Sequence, residues 1–144
     1  MWREIVEQYG DESEVGPPAT EEDLRLSEEE LGTSMPSQLR ELLMECDGVA
    51  DAYGTDVIWD TRKIAQENIR FRTTSDFRDL YMPFDHLLFF GDNGGGDQFA
   101  FPASPAKADV YLWDHETDSR IWVAADLRQY VQRALEADGE DWYR

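Results

Sequence analysis

The segment FFGDNGGGDQFAF, residues 89–101, gathers the chain's densest set of groups able to do chemistry: carboxylates at Asp92 and Asp97, an amide at Asn93, and glycines at Gly91, Gly94, Gly95 and Gly96. A phosphate loop of the P-loop kind needs a lysine after its glycines, so that backbone N–H groups and one cation share the phosphate charge. Gly91 and Gly96 have the spacing of that motif, but Asp97 and Gln98 follow them, and an aspartate there repels phosphate. A dinucleotide fingerprint fails as well, because it requires a helix after the glycines and DQFAF reads as a strand. Asp92, Asn93 and Asp97 offer hard oxygens to Ca²⁺, but an EF-hand places oxygens at alternate positions and ends on glutamate, and the segment has neither feature. What remains is a hairpin or bulged turn. Glycines supply positive φ, while Asp92 and Asp97 bond turn amides and keep one carboxylate edge in water. No metal and no cofactor are expected.

The other reactive side chains are few. His86 and His115, in FDHLLFF and WDHETD, have no metal-ligand spacing, and no GxSxG elbow or Cys/His signature is present. His115 lies between Asp114 and Glu116, which reads as a solvated turn residue. A hydrolase built on Asp92, Asp97 or Asp114 with His115 as base is the remote catalytic alternative. With 32 acidic residues, any carboxylate pair can be nominated, so proximity in sequence discriminates little. The chain is therefore expected not to be an enzyme. Cys46, the only cysteine, falls at helical spacing from Leu39, Leu42 and Leu43 and reads as a buried thiol, which excludes an intrachain disulfide.

Charge bounds the partners. Against the 32 acidic side chains stand 13 basic ones, giving −19 over 144 residues. Nucleic acid and anionic membranes bind through basic patches, and this chain carries the opposite sign. The acidity serves solubility and also attracts a basic protein partner at long range. Between residues 1 and 35 acids crowd together, Glu28 and Glu29 among them, opposed only by Arg3 and Arg25. Such a run is a solvated face and a landing surface for a basic partner. MWREIVEQYG has no apolar run of signal-peptide length, and no segment approaches a membrane span, so cytoplasmic residence is the expectation.

These groups must be positioned by a small α+β fold. A hydrophobic content of 41% and an aromatic content of 12%, with five Trp and six Tyr, provide for an aromatic-rich core in one domain spanning 1–144. Trp2, Ile5, Val6 and Tyr9 predict a first amphipathic helix. Thr20 caps a second that closes at Gly32, and SQLRELLMEC forms a third, central helix started by Ser34 and Pro36 and stopped at Asp47 and Gly48. DVIWD reads as a strand and TRKIAQENIRFR as a helix with Ile64, Asn68 and Phe71 inward. LLFF, DQFAF, DVYLW and RIWVA read as four consecutive strands of an antiparallel sheet, and ADLRQYVQRAL as a final helix capped by Asp126.

In order along the chain, ATEEDLRLSEEELGTSMPSQLRELLMECDGV, LLFFGDNGGGDQFAF and VYLWDHETDSRIWVAADLRQYVQRAL resemble the SUKH superfamily, in particular its Smi/Knr branch. Leu31, Gly32, Met35, Pro36, Leu39, Leu42, Asp47 and Gly48 match its paired helices and closing turn. Phe90, Gly91, Asp92, Gly95, Gly96 and Asp97 match its glycine loop, and Val110, Tyr111, Trp113, Asp114 and Ala125 match its last strands. Met35 and Asp47 stand where leucine and asparagine are usual. The resemblance covers about 20–135 and implies helices packed around a mixed or antiparallel sheet, without catalysis. It also implies a binding role. Bacterial members are commonly immunity proteins that neutralise toxins, many of them nucleases, and fungal members regulate cell-wall assembly through protein contacts. The expected partner is thus a basic toxin domain, with a regulatory adaptor as the alternative. Asp92, Asn93, Asp97, Asp114, Glu116, Glu28 and Glu29 are the candidate contact residues, on a loop shaped by Gly91, Gly94, Gly95 and Gly96.

Overall fold

The computed structural model describes residues 1–103 and 106–144. Helix α1 (Trp2–Tyr9) leads to strand β1 (Glu14–Val15), then to helices α2 (Glu21–Leu31) and α3 (Ser37–Glu45). Strands β2 (Val49–Ala50) and β3 (Asp56–Ile58) follow, then helices α4 (Thr61–Thr73) and α5 (Ser75–Leu80). Strands β4 (Leu87–Asp92), β5 (Gln98–Pro102), β6 (Val110–Asp114) and β7 (Ser119–Ala124) precede helix α6 (Leu127–Glu136). The α+β class stands. The described strands form two antiparallel sheets, β1-β2-β3 and β4-β5-β6-β7, where the sequence suggests one.

Local chemistry accounts for the helix ends. Thr20 and Asp23 form a reciprocal capping box on α2, each side chain bonding the other's N–H at 3.0 Å, and the Gly32 N–H returns to the Glu28 and Glu29 carbonyls. Asp60 caps α4 and Asp126 caps α6 through the N–H groups of Lys63 and Gln129. α1 has no cap of its own; instead the Glu45 carboxylate, at the end of α3, accepts the N–H groups of Trp2 and Arg3 at 3.1 Å. An anion placed there meets the positive end of the helix dipole and ties α1 to α3. Ser34 does not start α3: Pro36 holds the capping position, without a side-chain bond.

The core is continuous, and α3 runs through its middle with Leu39, Leu42, Leu43 and Cys46 all fully buried. Burial pushes the Cys46 thiol above its usual range, as expected of an inert thiol. Trp113 of β6 is enclosed by Phe71, Phe84 and Tyr81 at ring separations of 5.6, 5.1 and 5.0 Å, mostly edge-on. On the other face of the sheet Phe99 meets Tyr130 of α6 at 4.9 Å. Asn68, wholly buried, sits beside the outer edge of β4: its amide donates to the Phe89 carbonyl at 2.8 Å and accepts the Phe89 N–H at 2.8 Å. The side chain thus takes the place of a neighbouring strand.

Candidate functional site

The glycine loop joins β4 to β5, and the register of the pair shifts between Phe89 and Gly91. Asp92 accepts the Gly94 N–H at 2.8 Å, while Asn93 accepts those of Gly95 and Asp97 at 2.9 and 3.1 Å. These are Asx turns, in which a side-chain oxygen replaces a backbone carbonyl. Gly94 and Gly96 have φ of 81° and 109°, closed to most side chains, and a Cβ on Gly96 would come within 2.8 Å of the His115 ring. Gly95 has no positive φ.

Asp97 overturns the expectation of a carboxylate edge in water. It is 3% exposed because the loop folds back on the β6–β7 turn. Its Oδ1 accepts the His115 backbone N–H at 3.1 Å and meets His115 Nδ1 at 2.6 Å. Its Oδ2 accepts the Asn93 amide at 3.1 Å and faces the Arg144 guanidinium at 3.5 Å. A carboxylate removed from water requires such a shell, and a carboxylate that only accepts places the imidazole proton on Nδ1. His115 is thus a partly exposed turn residue, one edge of whose ring is tied to the buried carboxylate of Asp97.

The remaining candidates divide by exposure. Asp92 is mostly covered: the Trp59 indole N–H donates to it at 2.7 Å and Lys63 Nζ lies 3.8 Å away. Asp114 caps its turn through the Glu116 N–H, and Glu116 itself is exposed. Glu28 is largely covered, accepting the Met35 N–H at 2.7 Å and meeting Arg40, whereas Glu29 is exposed beside Arg25. Glu28 and Glu29 share a groove with Glu21, Glu22 and Arg40, separate from the groove lined by Asp92, Asn93 and Tyr143. The candidates therefore lie on two surfaces.

The Asp–His contact is the geometry a hydrolase would want, but among the described residues no serine, threonine or cysteine bonds His115. Asp97, Asp114 and His115 do bring three ligand atoms within 4.8 Å of one another, a different trio from Asp92, Asn93 and Asp97. Both Asp97 oxygens in that trio are already bonded within the fold.

Two features escape the sequence motifs. An open cleft of about 530 Å³ is lined by Asp11, Glu12, Asp51, Glu136 and Asp138, with Tyr9 and Tyr53 on its walls and, among the described residues, no lysine or arginine. It joins the acidic N-terminal region to the far end of α6. The second is the run Trp142, Tyr143 and Arg144, which packs on the glycine loop: Asn93 donates to the Tyr143 hydroxyl at 2.9 Å, and Trp142 stacks on Phe99. An aromatic-aromatic-basic run just beyond the final helix was the only sequence signal of it.

Among the described residues no helix is long and apolar enough to cross a membrane. The model of the SMI1 / KNR4 family (SUKH-1) matches residues 18–133. No curated protein matches the chain.

Proposed function

The chain belongs to the SMI1 / KNR4 family (SUKH-1), and from that membership and its charge we propose that it is a cytoplasmic immunity protein, which neutralises a basic toxin domain by direct contact. Membership supports a role of the immunity or Smi1/Knr4 regulatory type. The observation that favours a basic partner is the cleft with five acidic residues and no lysine or arginine among its described lining residues. In a chain of net charge −19, such a surface carries a field that draws in a positively charged protein and raises its association rate at low salt. A nuclease, whose own surface is built to receive phosphates, fits that field best.

Contact is proposed at the cleft together with the exposed acids Glu29 and Glu116, while Asp92, Asn93, Asp97 and Asp114 act mainly by holding the loop in shape. Inhibition then requires occlusion of the partner rather than turnover. Co-expression with the product of the adjacent gene tests the proposal: cells carrying both are expected to survive, and cells carrying the toxin alone to die. Equal killing in both would overturn it, and a co-purifying partner without toxicity would instead mark a regulatory adaptor.

A further inference from the structure

Residues 139–144 lie beyond the stretch matched by the family model and are held to the body in an unusual way. From Glu140 onward their backbone hydrogen bonds return only to Ala137, Glu140 and Asp141, among the described residues. Everything that ties them to the sheet is a side chain. Trp142 stacks on Phe99 with ring centroids 5.6 Å apart and planes 10° apart, and meets the Tyr130 ring edge-on at 5.8 Å. The Tyr143 hydroxyl accepts from Asn93, and Arg144 lies 3.5 Å from the buried carboxylate of Asp97. Two successive residues with positive φ, Asp138 at 49° and Gly139 at 88°, turn the chain back onto this groove.

We propose that residues 139–144 are a displaceable strap, occupying within the chain a groove that receives an aromatic-aromatic-basic segment of a protein partner. A segment paired through its backbone belongs to its sheet. One held by two rings and a cation can be exchanged for any segment that presents the same groups. The groove selects them: Phe99 and Tyr130 offer aromatic faces, Asn93 an amide donor for a phenol, and Asp97 a carboxylate for a guanidinium. The strap leaves Arg144 half exposed and its contact with Asp97 long, so an incoming arginine has room to pair more closely. This inference rests on the chain being a protein-binding module.

The tethered strap competes at an effective concentration of about millimolar, so it must be loosened before the groove is probed. The full chain carrying Trp142→Ala and Tyr143→Ala is titrated calorimetrically with a synthetic peptide of residues 136–144. Micromolar binding to the variant, at least about tenfold tighter than to the wild type, is expected, with a marked loss when the peptide's arginine is replaced by alanine. Absence of binding to the folded variant, or equal binding to both proteins, overturns the proposal. Should the variant not fold, hydrogen exchange of the wild type decides: amides of residues 140–144 are expected to exchange at least about a hundredfold faster than those at the end of α6, and equal protection overturns the strap. Peptide failure with toxin neutralisation intact would remove the groove alone; peptide binding without neutralisation would remove the immunity role alone.

Discussion

A side chain on Gly91 would meet the Val57 carbonyl oxygen at 2.1 Å, and that same carbonyl accepts the buried Tyr130 hydroxyl at 2.7 Å. At this point β3, β4 and α6 converge, and the three-stranded and four-stranded sheets come closest through backbone rather than side chains. The phenol is fully enclosed, and burial drives its pKa well above the usual tyrosine value, so it remains a neutral donor at all working pH values. Gly91 is thus a requirement of packing rather than of turn geometry.

Gly91→Ala must therefore push β3 away from β4 or break the Tyr130 bond. The opposing atom is backbone, which cannot swing aside, so the cost falls at the upper end of overpacking, about 3 kcal/mol. Urea unfolding is expected to show that loss. A loss below about 1 kcal/mol would mean the sheets separate freely.

Asn68→Leu removes the bonds that satisfy both backbone groups of Phe89 while keeping the volume. Two buried backbone groups lose their partners, for an expected destabilisation of about 2–4 kcal/mol, read from the same unfolding experiment. Native exchange should show Phe89's amide losing protection first. A near-neutral substitution would show that water can replace the side chain.

Helical periodicity placed α1, α3, α4 and α6 from Trp2, Leu39, Ile64 and Tyr130, because a buried stripe repeats over several turns, while the Thr20 cap and the Gly32 stop marked α2. Short apolar and aromatic runs bounded by turn residues gave β4 to β7. β1 and β2 are two residues each, too short to carry any period, and α5 buries no residue, so neither the second sheet nor that helix was legible. The glycine loop was legible as a turn. Its exposure was not, since the burial of Asp97 depends on His115 and Arg144, brought to it only by the folding of the β6–β7 turn and the 139–144 segment.

Acid stability should report Asp118. Burial alone would raise its pKa, but the Met82 N–H and the Trp113 indole, each donating at 2.8 Å, together with Arg120, outweigh burial and hold it below the ordinary value of 3.8. A depressed carboxylate stabilises the fold above its unfolded pKa and loses that contribution as pH falls through the folded one. Asp118→Asn, which tolerates the positive φ of 60° there, should cost about 1.5–3 kcal/mol at pH 7. That difference from wild type should shrink steadily below about pH 4. A difference independent of pH would assign the loss to shape rather than charge.

Charge in the cleft and charge in the loop should separate cleanly in one pair of variants. Glu12 and Glu136 lie on the cleft wall and are exposed, so Glu12→Gln with Glu136→Gln leaves packing intact and lowers only the field. Against the basic partner recovered by co-expression, the association rate should fall several-fold at low salt, and its salt dependence should flatten. Exposed charges act over about 8 Å at physiological ionic strength, so this double variant should converge with wild type at high salt. Melting temperature should not move. Asp97→Asn should act mainly on stability, because its carboxylate is buried and already bonded: asparagine must turn its amide donor toward either the His115 N–H or the Asn93 amide, costing about 2–4 kcal/mol, and removes only the single pairing proposed for a partner's arginine, so the salt slope falls less than in the cleft variant. Measuring melting and association on both variants assigns each acid its part. If Asp97→Asn alone flattened the salt dependence, the contact surface would lie at the glycine loop and not at the cleft.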